Sequence, residues 1–378
     1  MMDTVIVRDR EGKQEEILSG LDYSTFQVDK EMNTTWQIAF TAYKTADSIL
    51  AFNLIQPKSL VKWHDQWFSV EQPTMDVTDG VASKQITAIH VWFSCSRIRP
   101  NITPASTDDD SPAKSYTAEQ LMKLAFDGNK FGYTWEIKGK SDTTQIDSMD
   151  RQSALDILNN YLIGQMGWVI TADNYKIYAQ SLDSFKRKTG KVINYFGDAS
   201  NVNIQPDVTS IVNACRMYGK DNKYLGEYVN QESIDQYGKW YGDDVTSDTA
   251  TKASDVTSAA GKSVDANAVP NETMTTTYRG SIDDIELGDV VTVNCPPLDF
   301  SQELMCSHIS ATPYTHEPIT ITWTTGTTNK ANIKSLLQMQ YQLNTQIKNV
   351  SKQSNKQVII GATTIDGGAS VVRYDAGQ

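Results

Sequence analysis

Residues Phe26–Ala42 read FQVDKEMNTTWQIAFTA, and the alternation within them decides the fold class. The even positions carry Phe26, Val28, Lys30, Met32, Thr34, Trp36, Ile38, Phe40 and Ala42; the odd ones carry Gln27, Asp29, Glu31, Asn33, Thr35, Gln37, Ala39 and Thr41. Successive side chains of a strand point to opposite faces, so a period of two sets a buried face against a wet one. The polar run Asp29–Thr35 predicts a turn, which makes the stretch two antiparallel strands.

Working outward, the N-terminal part continues in strands. Val5–Val7 predict a short strand with DREGK as its turn, and Ile17 and Leu18 precede the hairpin. TADSILAFNLIQPKSLV predicts a short helix before Pro57. In KWHDQWFSVEQ, Trp63, His64, Asp65 and Gln66 lead into a strand through Trp67–Val70. KQITAIHVWFSCSRI predicts a last strand with Ile86, Ala88, His90 and Trp92 on one face and Thr87, Ile89, Val91 and Phe93 on the other. Apolar residues on both faces imply a strand covered on both sides, as in a closed barrel with something packed outside it.

Beyond residue 100 the texture changes. RPNITPASTDDDSPAKS reads as a linker. An α/β unit follows: TAEQLMKLAFDG predicts a helix capped by Thr117 with Gln120 completing a capping box, and Gly128 ends it. FGYTWEIKG is a strand. A second helix, capped by Ser148 or Asp150, presents Ala154, Leu155, Leu158, Leu162 and Met166 to a sheet and stops at Gly167; WVITADNYKIYAQS then forms a hairpin through Asp173 and Asn174. From Lys191 strands resume, with Val212, Ala214 and Arg216 on one face; IELGDVVTV turns at Gly288 into a further strand. Between them lies an insertion with little apolar content, which reads either as a short exposed helix ending before Pro270 or as disorder. The period switches near the C-terminus, where Ile333, Leu336, Gln340, Leu343, Ile347, Val350 and Ser354 form a heptad seam. Such a helix suits an oligomer contact or packing on its own subunit equally.

The expected fold class is α+β, mainly β: two β-barrel domains, an α/β domain and a small insertion domain, ending in a C-terminal helix. The boundaries are 1–100 for the first barrel, 101–114 for the linker and 115–188 for the α/β domain. The second barrel is split over 189–220 and 276–328, around an insertion at 221–275, and the coiled-coil helix at 329–356 leads into an extended tail at 357–378.

With 378 residues the chain is long enough for two to four domains, since single cores rarely exceed about 250–300 residues. The formal charge of −12 argues against sequence-specific nucleic-acid binding, which needs a basic footprint, but suits a surface past which a polyanion slides. No secretory signal opens the chain and no apolar run of about 18 residues exists, so synthesis in a cytoplasm and no membrane span are expected. The four cysteines, Cys95, Cys215, Cys295 and Cys306, lack zinc spacing and read as buried free thiols, although Cys295 and Cys306 could meet on paired strands.

Catalytic signatures are missing from the sequence. There is no GxSxG, Walker A or HExxH motif. His90 reads as a packed core group. His64 and Asp65, as strand neighbours, would point apart, and His308 and His316, eight residues apart, have no His-x-His and no partner acid in metal-ligand spacing. Asp108–Asp110 reads as a solvated charge run and the pair Asp283/Asp284 as chance in an acidic chain. The expectation is therefore no enzyme, with no catalytic, cofactor-binding or metal-binding residue and no cofactor. A hydrolase hidden in the α/β unit would draw on Glu119, Glu136, Asp147 and Asp150. A carbohydrate-binding module is a third possibility, suggested by 8 Trp and 17 Tyr but opposed by their core periodicity.

The order barrel, α/β unit, split barrel and coiled coil resembles the baseplate hub proteins of tailed phages. It is similar above all to the N-terminal structural module of the tail-associated lysin, or prophage endopeptidase tail, family of siphophages. The stretches that carry the resemblance are FQVDKEMNTTWQIAFTAYKTADSILAF, LVKWHDQWFSVEQ, ITAIHVWFSCSRI and IELGDVVTV. The resemblance implies a homotrimer whose two barrels per subunit alternate in a pseudo-sixfold ring at the distal end of the virion tail. It further implies docking on a hexameric distal tail protein, a channel holding the tape measure protein and later passing DNA, and a position against the host cell wall. Many relatives continue into a peptidoglycan-cleaving domain; this sequence ends at Gln378 without one, so a cell-wall-degrading lysin, or its N-terminal part, is the alternative function.

Overall fold

A computed structural model describes residues 4–101, 114–141, 143–146, 152–207, 211–247, 250–265, 267–268, 271–324, 364–365 and 369–370. The chain divides into two units, Met1–Asn332 and Ile333–Gln378. In the second, the described residues form one antiparallel pair, Thr364–Ile365 with Ala369–Ser370. The predicted coiled-coil helix, most of the linker, and Ser148 and Asp150 lie outside the described residues.

The first half of the larger unit comprises β1 (Ile6–Arg8), β2 (Glu15–Ile17), β3 (Leu21–Glu31), β4 (Thr35–Tyr43), a short helix α1 (Ile49–Leu54), β5 (Leu60–Trp63), β6 (Gln66–Thr78) and β7 (Val81–His90). The hairpin β3–β4 forms as its alternation predicts: Phe26, Val28, Ile38, Phe40 and Ala42 are buried. Its turn contains Asn33 at φ 65°, a left-handed conformation that Asn tolerates better than most residues. The buried face surrounds Phe26, whose ring lies 5.6 Å from Phe40 and 5.4 Å from Trp63.

Two local expectations change here. His64 and Asp65 are not strand residues; both adopt positive φ (47° and 58°) as the two-residue turn joining β5 to β6. β7 stops at His90, and Val91–Arg97 continue as a 3-10 helix. The His90 ring nitrogen Nδ1 accepts the Trp92 N–H at 3.3 Å, giving that helix the cap which ends the strand.

The α/β unit runs through β8 (Lys114–Tyr116), α2 (Ala118–Phe126), β9 (Thr134–Lys138), β10 (Thr144–Ile146), α3 (Ala154–Ile157), β11 (Val169–Asp173), β12 (Lys176–Gln180) and α4 (Leu182–Phe185). The Thr117–Gln120 capping box is present. The second helix begins later than predicted, at a capping box made by Ser153 and Asp156. It widens into a π-helix over Leu158–Ile163, which brings Tyr161 and Ile163 into the core beside Leu158 and Leu162. β9 joins the hairpin β11–β12 by parallel pairing with β12.

The remainder comprises β13 (Arg187–Asn194), β14 (Ala199–Asp207), β15 (Ala214–Tyr218), β16 (Tyr224–Val229), α5 (Gln231–Tyr237), β17 (Val245–Thr246), α6 (Ser254–Asp265), β18 (Asn271–Tyr278), β19 (Asp289–Cys295), β20 (Phe300–Ala311) and β21 (Ile319–Thr324). Ala214–Tyr218, expected in the second barrel, instead pairs with β16 and β17 in a separate three-stranded sheet. One face of that sheet packs on Val256, Ala260 and Val264 of α6. Gly288 does supply the bend before β19: its φ is 88°, and a Cβ there would lie 2.7 Å from the Phe185 carbonyl oxygen. Cys295 pairs with Phe300 and Cys306 with Trp323, so the two cysteines are not neighbours; all four are free and buried.

The main correction concerns closure. The chain is mainly β, but the strands do not close into two rings. Thirteen strands form one sheet in the order β14-β18-β21-β20-β3-β4-β7-β6-β5-β1-β2, with β19 also on β20 and β13 on β19. Two hydrophobic cores remain distinct, one around Phe26 and one around Trp323. They share a sheet because β20 is long: its first residues pair with β19, and its last four, His308–Ala311 in register, pair with β3. Alternation in sequence reports a buried face, and a sheet curled over a core has the same alternation as a closed ring.

Candidate functional site

The residues with unusual chemistry gather where the two β halves and the α/β unit meet. Each joint there uses a polar side chain set by the local backbone. At the tip of β3–β4, Asn33 Nδ2 donates to the Trp168 carbonyl at 3.0 Å while its Oδ1 accepts the Ile170 N–H at 2.7 Å, imitating one more strand partner. At the β11–β12 turn, Asn174 (φ 52°) accepts the Trp67 N–H at 2.8 Å and donates to the Asp65 carbonyl at 3.0 Å. Between the two halves, His308 Nε2 meets Asp29 Oδ1 at 2.5 Å, and Trp63 Nε1 donates to the Tyr314 hydroxyl at 2.9 Å.

His90 lies within this region and is fully buried. Its ring stacks on Trp36 at 3.8 Å between centroids, with planes 1° apart. Since Nδ1 accepts from Trp92, the proton sits on Nε2, which faces the side-chain amide oxygen Oε1 of Gln66 at 3.1 Å. Burial, reinforced by the Lys30 cation, pushes His90 down to about 3. The imidazole is therefore a neutral packing and bridging group at physiological pH.

His308 shifts the opposite way. Burial alone would lower it, but the hydrogen bond and charge of Asp29, with Glu31 beyond, raise it above the usual histidine value. The two histidines thus give opposing pH dependences. Unfolded His90 takes a proton near pH 6.5 that the folded form refuses, so its contribution is complete above that pH and falls on acidification. His308 contributes fully below about pH 6.5 and loses that contribution as pH rises through its folded pKa. Between pH 7 and 5 the His90 effect alone is predicted to cost about 2 kcal/mol of stability. Denaturant melts of His90→Gln across that range are expected to lack this loss; an unchanged slope would refute the assignment.

Two clefts open on either side of Lys30 and Trp36. The larger, about 470 Å³, lies between the hairpin tip, β11–β12 and the start of β13; the smaller, about 370 Å³, reaches His64, Gln66 and Asp283. Lys30, Trp36 and Glu286 border both. At the mouth, Arg187 is held by Glu286 at 2.6 Å and Asp289 at 2.9 Å. Lys30 occupies an inward even position of the hairpin, a signal already visible in its alternation.

Of the other residues singled out from sequence, the structure brings together only His64 and Asp283 among the described residues. His64 Nδ1 is 3.8 Å from Asp283, with its ring against Trp63. Asp284 caps the turn at Ser281. Glu136 is paired with Lys176 at 2.8 Å, and Glu119 sits in the first turn of α2. Asp108–Asp110, Asp147 and Asp150 lie outside the described residues. Burial pushes the Cys95 thiol up to about 12 and raises Cys306 and Cys215, which leaves them unreactive. Among the described residues, no group of three or more His, Cys, Asp or Glu is gathered as for a metal ion, and no helix is long and apolar enough to cross a membrane.

Two sequence models match this architecture: the prophage endopeptidase tail N-terminal domain over residues 5–90, and the prophage endopeptidase tail over residues 187–334. Together they take in both β halves and more than half of the chain. The chain belongs to the prophage endopeptidase tail family. It is thus a phage tail-associated module, and the joints above are those of a prophage endopeptidase tail protein. Its fold is shared with the prophage tail protein gp18 from Listeria monocytogenes EGD-e, at a TM-score of 0.65 and 22% identity over 89% of this chain and 98% of that one. It is shared also with a tail protein from Neisseria meningitidis MC58 (TM-score 0.58, 9% identity, 86% and 97% covered). A third similar structure is the 43 kDa tail protein of prophage MuSo2 from Shewanella oneidensis (TM-score 0.56, 10% identity, 86% and 100% covered). No curated protein matches the chain.

Proposed function

We propose that this chain is a structural baseplate hub, or tail-tip, protein of a siphophage-type particle. Three copies form a ring at the distal end of the tail tube, seated on the distal tail protein hexamer, and the ring opens for DNA ejection past the tape measure protein. The observation that carries this reading is the fusion of two separately cored β halves into one thirteen-stranded sheet through β20. A shared sheet fixes the two halves against each other as one rigid block, which a load-bearing ring segment requires. The acidic surface, −12 overall, lets DNA pass without adhering. The protein works by shape, and no hydrolysis is assigned to it.

Light scattering on the purified full chain tests this reading. The expected mass is three times the 42.1 kDa of one chain, with no loss of turbidity when the protein is added to purified cell walls. A monomer both in solution and in intact particles refutes the ring. Clearing of the walls refutes the non-enzymatic reading in favour of a cell-wall lysin.

A further inference from the structure

The insertion between β14 and β18 has a core of its own. It leaves the β14–β18 hairpin where Asp207 pairs with Asn271, and its cluster of Cys215, Met217, Val256, Ala260 and Val264 is separate from the cores of both β halves. α6 covers one face of its sheet, β16-β15-β17. Alternation sends Arg216 and Tyr218 of β15 to the other face, where they stand in register opposite Glu227 and Tyr224 of β16. Tyr241 belongs to the segment beside β15, which it joins through a bridge to Ala214. Its hydroxyl donates to Glu227 Oε1 at 2.7 Å, and the Arg216 guanidinium lies 5.3 Å from its ring centroid.

Six aromatic side chains are exposed among the described residues, and Tyr224, Trp240 and Tyr241 of this insertion are three of them. The core periodicity that argues against a carbohydrate surface elsewhere in the chain does not apply to these. Tyr224 is 53% exposed and Tyr241 47%, yet both rings are held. Tyr224 meets the Tyr218 ring at 5.7 Å between centroids; Tyr241 is fixed by its bond to Glu227 and flanked by Arg216 and Lys239. A ring fixed in advance loses little entropy when a ligand covers it. Arg216 donates to the Tyr218 hydroxyl and has further N–H groups on its fork, and each Glu227 oxygen has a second lone pair. A pyranose sugar needs this mixture. Its C–H face packs on an aromatic ring, and its equatorial hydroxyls bond planar guanidinium and carboxylate groups at the ring edge.

Charge selects among such ligands. Lys239 is paired with Glu227 at 2.6 Å and Arg216 is attracted by Asp244, so carboxylates balance the cations of this face. A polyanion gains little from a balanced face and is repelled by a chain of −12 overall. An uncharged ligand matches it. The rings stand on an open sheet, which suits an extended chain lying across the strands.

We propose that this face binds an extended, uncharged glycan, with Tyr224 and Tyr241 as stacking platforms and Arg216 and Glu227 as the groups that bond its hydroxyls. The site uses no residue of either β-half core, so its failure leaves the hub reading standing, and the converse holds as well.

Calorimetry and tryptophan fluorescence on the full chain test the site, with cellohexaose and chitohexaose as extended neutral chains and polygalacturonate as an anionic one. Saturable binding of a neutral chain is expected, insensitive to salt and weakened at least about tenfold by Tyr224→Ala or Tyr241→Ala. Both rings lie outside the insertion's core, and Tyr224→Ala, which removes no hydrogen bond to Glu227, carries the test if Tyr241→Ala does not fold. Glu227→Gln keeps the side chain's shape and is expected to weaken binding several-fold. The proposal is overturned if neither neutral chain saturates, if polygalacturonate alone binds, or if both alanine variants bind as the unaltered chain does. It is overturned also if Tyr224→Ala lowers the mass of the assembled protein in light scattering, which would make this face a contact between copies.

Discussion

Trp323→Ala is expected to destabilise the protein by about 4 kcal/mol, one of the two largest single-residue effects predicted here. Trp323 is fully buried at the centre of the second core, paired with Met274 on β18 and Cys306 on β20. Its indole N–H donates to the Thr276 hydroxyl at 2.7 Å, and Thr276 is itself fully buried. Truncation therefore removes a large apolar volume and strands a buried hydroxyl at the same time. Trp323→Phe keeps most of the volume and is expected to cost about 1–2 kcal/mol, mainly for the lost hydrogen bond. Urea unfolding followed by circular dichroism gives both numbers. A loss below about 1 kcal/mol for the alanine variant would mean that the second core collapses around the gap, contrary to tight packing.

The second large effect is expected at Lys84, whose charge is buried for a purely structural reason. β7 places it inward, in line with Ile86, Ala88 and His90, and only 6% of it is exposed. Its ammonium donates to the carbonyls of Phe52 at 2.7 Å and Ile55 at 2.6 Å, the last turn and cap of α1, and lies over the Phe52 ring. Helix ends leave carbonyls without partners, and a cation there also meets the negative end of the helix dipole. Lys84→Met retains the aliphatic stem but leaves both carbonyls unpaired in an apolar setting, at an expected cost of about 3 kcal/mol. Hydrogen exchange at the amides of Ile49–Leu54 should rise in that variant while exchange in β18–β21 does not. Unchanged protection of α1 would show that Lys84 acts only through its stem.

These two residues also show what a sequence can and cannot disclose. Lys84 falls on the even, inward series of β7, and Lys30 and Trp36 on the inward series of the hairpin. A charged residue at an inward position is a visible anomaly. Its partner is not visible: the carbonyls that receive Lys84 belong to a helix that comes some thirty residues earlier. Lys138 and Tyr178, which line the larger cleft with Lys30, lie on β9 and β12 of the α/β region, and no spacing in the chain brings them to Lys30.

The sequence established what depends on near neighbours. Period two set which faces of β3, β4, β7 and β19 turn inward, and Thr117 with Gln120 set the start of α2. Gly288, with no Cβ, could take the left-handed bend before β19. Tertiary structure decided everything that requires a distant strand edge: that β20 leaves its own half to pair with β3, that Ala214–Tyr218 joins another sheet, and that the β halves share one sheet instead of closing separately. The physical reason is that backbone N–H and C=O groups at a strand edge are the same for every residue. Which edge meets which is settled by the burial and geometry of the whole assembly, and the local order of side chains carries no record of it.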